Sequence, residues 1–529
     1  GPYGAPPSYP ATPPQGNPGS PGPYGPYGSA DQYGHYGPGG PPGPGGPPGP
    51  GGPPGPGGPP GPGGPPGGGG QYGPNGPNGP NGRKLTPKAL GIVAAVVAVL
   101  LIAGGIFLFT GDDGGGGAGE DEAGGGSGGR AAEQLFTIKK TDAPAKDVQG
   151  ADGSWFTEKI YAKSTINAIE GHRVNGGERA WRIPLDGPVC AASPHMTDDN
   201  RTAVAFEKGS DGCNTVAVFN VETGKKLWQK PIPKGEQIFG GGMTNLTVAE
   251  NTVAISWNGG FVAYGIDGGP PVWKSKASGE TCEHSRYGGG AKLLVVLECG
   301  NESLTLNRLD PKTGHNTWDV RLPAGLDSGH SVRVIDTDPV VLVLGTGDES
   351  ASEIMTIDDS GKIETTIGLG KRYEPGCGIG NVGSEACFNV VATDDNVFVS
   401  TKEHGSALEE TNEVMAFDFH TGKPRWKSDA GAKRTLFPIT TVGKDAIAYS
   451  PPSLDKGGEV SRIEPTRGKR TTVMRLPDKS RDQQSKFLVP GMGSTAPATY
   501  NNGRLFLQTG LVSGEDSADT LLAMGFAAP

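Results

Sequence analysis

The sequence predicts an all-β ectodomain folded as an eight-bladed β-propeller, with seven blades as the alternative. Three observations support this prediction. A short phrase recurs along the chain, the strands beside it are apolar on both faces, and all six cysteines lie in the same part of the chain. The rest of the 529 residues form a Pro/Gly-rich N-terminal tail and one long apolar segment, which indicates a chain of several unlike parts.

The recurring phrase is an apolar strand followed by Asp or Asn, two residues, Thr-Gly, three residues and Trp. Two degenerate copies end at Trp181 and Trp273, and residues 358–361 and 464–468 keep the turn without the Trp. The first four tryptophans of the series lie 47, 45 and 45 residues apart, and periods of about 20–50 residues are typical of solenoids and propellers. The three complete copies are Asn220, Thr223, Gly224 and Trp228; Asp310, Thr313, Gly314 and Trp318; and Asp418, Thr421, Gly422 and Trp426.

Turn chemistry explains the polar half of the phrase. An Asp or Asn side chain accepts a hydrogen bond from the backbone two residues on, and Gly supplies the positive φ that closes the turn. The flanking strands, such as residues 216–219 and 414–417, are apolar on both faces, which indicates burial on both sides. Propeller blades meet that need because each lies between two neighbours. We expect the Trp to fill the gap to the next blade, which is a packing role.

The number of blades follows from the two ends of the chain. Seven hairpins are visible, and the C-terminus adds a partial blade at residues 503–508 and 520–526. We expect an N-terminal strand near residues 135–139 to complete that blade. Such closure leaves no open strand edge, and open edges promote aggregation.

The Asp-x-x-Thr-Gly-x-x-x-Trp phrase resembles the PQQ-like repeat of quinoprotein-type β-propellers. That family includes PQQ-dependent dehydrogenases, the outer-membrane assembly scaffold BamB and many bacterial surface proteins. The resemblance covers roughly residues 135–526. The complete layout, with a Pro/Gly/Tyr tail, one span and such a propeller, is similar to that of single-pass membrane proteins of actinobacteria.

The cysteines predict disulfide bonds. All six lie beyond the apolar segment, and an even number in an oxidising compartment indicates disulfides. We expect sequential pairs among the fifteen possible connectivities. Zinc binding is the alternative, but the usual Cys-x-x-Cys spacing is absent. The predicted disulfide cysteines are Cys190, Cys213, Cys282, Cys299, Cys377 and Cys387.

Residues 89–110 form the predicted transmembrane helix. The uncharged run at residues 89–109 would span about 31 Å as a helix, close to the roughly 30 Å of a hydrocarbon core. Residues 83–88 are basic, whereas residues 111–133 are Gly-rich and acidic. Because basic flanks stay in the cytoplasm, we predict a single-pass cell-membrane protein with a cytoplasmic N-terminus. Residues 111–133 would be a flexible linker to an extracytoplasmic propeller at residues 134–529.

Residues 1–82 are rich in Pro, Gly and Tyr and have too few aliphatic side chains to bury a core, so we expect a disordered cytoplasmic tail. Glycine occupies every third position from Gly34 to Gly82, the spacing of a collagen triple helix. Many of these triplets are Gly-Pro-Gly, and expansion of a tandem repeat gives the same period. The triple helix is therefore the secondary interpretation.

Composition and motifs favour binding over chemistry. The net charge of −10 argues against nucleic acid, because nucleic-acid-binding domains are usually basic. The resemblance to quinoprotein dehydrogenases implies an adjacent Cys-Cys disulfide and calcium-binding carboxylates with a catalytic Asp. No Cys-Cys pair occurs and no Asp matches such a motif, so we predict no catalytic, cofactor-binding or metal residues, with PQQ possible but not expected. The Gly-x-Gly-x-x-Gly string at residues 378–383 has no flanking strand and helix, which indicates a loop.

The predicted function is a non-catalytic binding or scaffold module at the cell surface, anchored in the cytoplasmic membrane. The expected partner is a protein, peptide or glycan at a propeller face, as the resemblance to BamB implies. An extracytoplasmic sensor domain that works with a membrane signalling partner is the alternative. A PQQ-dependent dehydrogenase is the least favoured of the three.

Overall fold

The computed structural model describes residues 129–139, 148–209, 212–233, 244–275, 282–300, 303–326, 328–346, 351–377, 385, 387–406, 409–487, 497–513 and 520–528. The chain divides into two units, Gly1–Ala118 and Gly119–Pro529. The predicted tail, basic segment and membrane span lie outside the described residues, as does the linker up to residue 128. None of the helices in the described ranges combines the length and the apolar character that crossing a bilayer requires.

Eight blades of four antiparallel strands form the ring, and the sheet of blade 7 gains a fifth, parallel strand. In blades 1 to 7 the four strands follow chain order from the innermost to the outermost. Blades 1 to 4 comprise, in turn, Ser154–Phe156, Ile160–Ser164, Ala168–Arg173 and Arg179–Pro184; Val189–Ala192, Arg201–Glu207, Cys213–Asn220 and Lys226–Pro231; Thr244–Ala249, Thr252–Trp257, Gly260–Gly265 and Gly268–Lys274; and Cys282–Gly288, Leu293–Cys299, Ser303–Leu309 and Asn316–Arg321.

Blades 5 to 8 continue the ring. They comprise, in turn, Val332–Thr337, Val340–Leu344, Glu353–Ile357 and Ile363–Gly368; Val390–Ala392, Asn396–Ser400, Glu413–Asp418 and Pro424–Asp429; Phe437–Val442, Asp445–Ser450, Glu459–Ile463 and Arg470–Arg475; and Ala498–Asn501, Arg504–Gln508, Leu521–Ala527 and Glu133–Lys139. Short elements outside the blades are the paired strands Val148–Gly150 and Leu511–Ser513, the α-helix Arg481–Gln484, and the 3-10 turns Gly329–Ser331, Asp478–Ser480 and Ser485–Phe487.

Eight separate apolar cores hold the ring together, one between each pair of neighbouring blades. Successive residues of one strand belong to different cores. In blade 6, Val397 and Val399 pack toward blade 5, whereas Phe398 between them packs toward blade 7. The core between blades 8 and 1, which contains Phe136 and Tyr161, closes the ring. The predicted burial of the strands on both faces is confirmed.

The N-terminal strand closes blade 8, as the sequence predicts. Glu133–Lys139 pairs in antiparallel register with Leu521–Ala527, the last strand of the chain. Arg130–Ala131, which lies within the predicted linker, pairs in parallel with the outermost strand of blade 7. The ring therefore has eight blades, and both ends of the propeller segment meet in one sheet.

At five of the eight joints between blades, the recurring phrase joins one blade to the next through a Trp and a Gly. The Trp181 ring of blade 1 lies over Gly224 in the turn of blade 2, where an added Cβ would come within 2.3 Å of it. Trp273 lies over Gly314 of blade 4 in the same way, and its indole N–H donates to the Pro311 carbonyl at 2.8 Å. The further pairs are Trp228 with Gly268, Trp318 with Gly361 and Trp426 with Gly468. Each glycine thus provides the seat for the Trp of the preceding blade.

The polar residues of the phrase close the hairpin turns, as the sequence predicts. Asp418 Oδ1 accepts the backbone N–H groups of His420 and Thr421 at 3.1 and 2.8 Å. Gly422 donates its N–H to the Asp418 carbonyl at 2.9 Å and adopts a φ of 64°. The other two complete copies have the same side-chain bond to the Thr backbone.

Disulfide bonds are confirmed, and each lies within one blade or one connection. Cys190–Cys213 links the innermost and third strands of blade 2, with a Cα–Cα distance of 5.9 Å. Cys282–Cys299 joins paired positions of the first two strands of blade 4, and Cys377–Cys387 closes part of the connection between blades 5 and 6. The pairs are sequential, which is the connectivity that we expected from the sequence.

The packing of Trp181 on Gly224 predicts that two Gly→Ala substitutions will destabilise the protein by different amounts. Gly224→Ala combines left-handed strain of about 1–2 kcal/mol with overpacking against Trp181 of about 1–3 kcal/mol, so the free energy of unfolding should fall by roughly 2–5 kcal/mol. Gly259 also has a positive φ, but nothing lies within 4 Å of its added Cβ, so Gly259→Ala should cost only the strain. Chemical denaturation measures the free energy of unfolding of each variant. Equal losses in the two variants would contradict the close packing of Trp181 on Gly224.

Candidate functional site

A polar cluster lies in the central channel of the propeller. The innermost strands of neighbouring blades contact one another from blade 2 to blade 8, so they surround a common axis. Residues of this region that interact with one another are called the channel cluster. The channel cluster consists of His195, Thr247, Gly289, Asp336 and Glu385.

Glu385 crosses the channel. It lies in the connection between blades 5 and 6, within the loop closed by Cys377–Cys387. Its Oε1 lies 2.6 Å from His195 Nε2 on blade 2 and accepts the Gly289 N–H of blade 4 at 2.9 Å. Its Oε2 accepts the Thr247 hydroxyl of blade 3 at 3.2 Å. Because blades 2 and 6 stand opposite each other in a ring of eight, one carboxylate links both sides of the channel.

The His195 ring is oriented by the innermost loops of blades 2 to 4. Ser193 Oγ accepts the backbone N–H groups of His195 and Val248 at 3.1 and 2.9 Å. The His195 carbonyl accepts the Thr202 hydroxyl at 2.7 Å. A Cβ at Gly290 would lie 3.0 Å from His195 Nδ1, so this glycine leaves room for the ring. The backbone at His195 is therefore fixed by hydrogen bonds, and the imidazole occupies the space that Gly290 leaves.

His195 lies between two carboxylates. Its side chain is 34% exposed and that of Glu385 is 14% exposed. Burial acts to lower the pKa of His195, but the charge and hydrogen bond of Glu385 and the charge of Asp336 together raise the pKa above its ordinary value. Burial raises the pKa of Asp336, against hydrogen bonds from the N–H groups of Asp338 and Thr337. The arrangement favours a protonated His195 as the cation of the channel cluster.

The residues present do not fit the cofactor chemistry of quinoprotein dehydrogenases. The three disulfides join cysteines 23, 17 and 10 positions apart, so none links adjacent residues. Within the described ranges, no three His, Cys, Asp or Glu side chains are placed to hold a metal ion. Both oxygens of Glu385 already accept hydrogen bonds from protein groups.

The residues singled out from the sequence lie outside the channel cluster. The repeat residues occupy turns and joints between blades, and His315 and His420 are exposed in two of those turns. The Gly-x-Gly-x-x-Gly string lies outside the described residues. Sequence analysis missed His195 and Glu385, which are 190 residues apart and belong to no motif. The one feature of the sequence that pointed to Glu385 was the short loop between Cys377 and Cys387, which contains it.

The eight-bladed ring with its Trp–Gly joints defines a PQQ-like β-propeller. A family model described as outer membrane protein assembly factor BamB matches residues 212–440 and 302–487. Together these matches span more than half of the 529 residues. The chain therefore belongs to this BamB family of PQQ-like propellers. No curated protein sequence matches it.

Solved structures of similar fold include both assembly factors and enzymes. BamB from Moraxella catarrhalis is 15% identical with a TM-score of 0.40, over 73% of this chain and 99% of that one. Quinohemoprotein alcohol dehydrogenase ADHIIG from Pseudomonas putida HK5 is 9% identical with a TM-score of 0.44, over 75% of this chain and 76% of that one. A europium-containing methanol dehydrogenase is 11% identical with a TM-score of 0.41, over 75% of this chain and 93% of that one.

The channel cluster predicts a pH-dependent contribution to stability. Because the pKa of His195 is raised on folding, its ion pair with Glu385 should stabilise fully below the ordinary value of 6.5 and be lost as pH rises through the folded value. His195→Gln should therefore lower the free energy of unfolding at pH 6 by about 1 kcal/mol or less, the range of ion pairs in contact with water, and by less at pH 9.

Denaturation of wild type and variant at the two pH values measures this difference. His420→Gln is the control, because His420 pairs with Glu364 in an exposed turn and its replacement should change stability little at either pH. A His195→Gln effect that is the same at pH 6 and pH 9 would contradict the proposed ion pair.

Proposed function

We propose that the protein is a membrane-anchored, extracytoplasmic propeller that serves as a non-catalytic binding or scaffold module at the cell surface. The observation that carries the proposal is the position of Glu385. It belongs to the connection between blades 5 and 6, and its carboxylate contacts blades 2, 3 and 4 inside the channel. Enclosed concave sites are where small substrates and cofactors usually bind. Because the chain's own carboxylate is engaged at that place, the exposed faces of the ring are left for a partner.

Two features support the proposed location. Three disulfides support an extracytoplasmic propeller, since disulfides persist in oxidising compartments. The apolar residues 89–110 and the basic residues 83–88 support an anchor with a cytoplasmic N-terminus. Membership of a family described as an outer membrane assembly factor supports a role in holding a protein, peptide or glycan at a propeller face.

A sensor domain that works with a membrane signalling partner is the second candidate. The predicted span places the 82-residue tail and the propeller on opposite sides of one membrane, so a binding event outside has a covalent connection to the inside. The two candidates share the anchored propeller and differ in the identity of the membrane neighbour.

The proposed topology predicts which new cysteines can be labelled from outside. All six natural cysteines are in disulfides, so an added cysteine is the one free thiol. Leu454→Cys, at a side chain that is 73% exposed on the propeller, should react with a membrane-impermeant maleimide on intact cells. Ser8→Cys in the tail should react only after permeabilisation. Labelling of Ser8→Cys on intact cells would contradict the topology.

The proposed role predicts the neighbours that in-cell crosslinking recovers. Crosslinking of the full-length protein followed by affinity purification should enrich envelope-assembly proteins or cell-surface polymers. Enrichment of a membrane kinase or regulator would favour the sensor role instead. The same purified protein, supplied with PQQ and calcium, should show no dye-linked oxidation of alcohols or sugars, and turnover in that assay would overturn the non-catalytic role.

A further inference from the structure

A polar pocket lies on one face of the ring, where blades 8, 1 and 2 meet. Its volume is ≈ 390 Å³, toward the small end of the roughly 300–1,000 Å³ of small-ligand pockets. The turns of the three blades build it, and no residue of the channel cluster lines it. Its lining residues are Phe156–Lys159 of blade 1, Asn200 and Glu222 of blade 2, and Asn501, Asn502, Arg504 and Phe506 of blade 8.

A stacked row of aromatic rings supports the apolar part of the pocket. Phe156 is half-buried and stacks on the buried Phe506, with ring centroids 5.6 Å apart and planes 22° apart. Phe506 stacks in turn on Tyr161 at 4.7 Å, and the Tyr161 hydroxyl donates to Gln508 at 2.6 Å. The part of the Phe156 ring that remains accessible is therefore an apolar surface held in position by a stacked, buried core.

Three carboxamide side chains are available at the pocket. Within the described ranges, the amides of Asn200, Asn501 and Asn502 make no hydrogen bond to the protein. A carboxamide offers two donors and two acceptor lone pairs, and a hydroxyl group offers one donor and two lone pairs. Side chains that both donate and accept match a ligand that carries several hydroxyl groups.

The charges of the lining are balanced. Lys159 Nζ lies 3.1 Å from Glu222 Oε1, and the Arg504 guanidinium donates to the Glu158 carbonyl at 2.9 Å. The basic Lys159 and Arg504 balance the acidic Glu158 and Glu222. The lining therefore has no net formal charge. A balanced lining favours a neutral ligand over a phosphate or an acidic polymer, since either would need an excess of positive charge.

We propose that this pocket is a binding site for a short neutral saccharide, with Phe156 contacting the C–H face of a sugar ring and the three asparagines bonding its hydroxyl groups. The proposal rests on the proposed binding role and narrows its ligand to one class. An extended peptide is usually recognised by an unpaired strand edge or an apolar groove. This pocket is lined largely by turn residues, so its chemistry favours the sugar.

Binding of defined trisaccharides to the full-length protein in detergent tests the proposal. Maltotriose, mannotriose, cellotriose and chitotriose are the neutral probes, and trigalacturonate is the charged probe. Calorimetry or saturation-transfer NMR should detect at least one neutral probe in preference to trigalacturonate. The double variant Asn200→Gly/Asn502→Gly should weaken that binding at least tenfold, because it removes two hydrogen-bonding groups.

The glycine variants keep the backbone as it is. Asn200 and Asn502 have φ values of 65° and 46°, a region that glycine adopts freely, so melting temperature should change little. Lys433→Gly is the matched control, because Lys433 has a φ of 60° and lies outside the pocket. It should bind the trisaccharide as the wild type does.

Three results would overturn the saccharide site: no binding of any probe, preferential binding of trigalacturonate, or binding that the double variant leaves unchanged. Pocket-dependent retention of peptides from an envelope-protein digest would also overturn it and assign a peptide ligand instead. The wider binding role would survive these results if crosslinking still recovers envelope proteins. PQQ-dependent turnover would overturn the non-catalytic binding role, whether or not a saccharide binds.

Discussion

Burial of both faces of every blade is the constraint on which the rest of the structure depends. Val397 and Val399 lie on one face of their strand and Phe398 lies on the other, so an isolated blade would expose two apolar faces to water. Burial contributes about 25 cal/mol for each Å² of apolar surface, which makes an uncovered face costly. A closed ring gives every face a neighbour. The strand Glu133–Lys139 is what completes that ring at blade 8.

The joint between blades depends on one small and one large residue. Where the phrase is complete, a Trp fills the space above a turn glycine of the next blade. Where the Trp is missing, other side chains take its place: Thr365 lies over Gly422, and Phe136 of the closing strand lies over Gly177. A turn glycine with positive φ is therefore retained in blades 1 to 7, whereas the side chain that covers it varies.

The channel cluster and the proposed saccharide pocket are built differently from these joints. Glu385 reaches across the channel from a connection between two blades, and its contacts join blades that are far apart in sequence. The pocket that we propose for a saccharide is built from turns of blades 8, 1 and 2, at the place where the ring closes. Turns and connections are free of the packing demands on the blades, so functional groups can be placed there without loss of an apolar core.

The sequence by itself determined the turns from residues close together in the chain and the blades from strands that are apolar on both faces. It determined the closing strand from the partial blade at the C-terminus, which lacks its outermost strand. Asp418 and Gly422 form their turn within five residues, and strands apolar on both faces require neighbours on both sides. Only the tertiary structure decided that Glu385 contacts His195 and that Asn200 and Asn502 line the same pocket. Those residues belong to connections of different blades, and no local pattern records which connections a closed ring brings together.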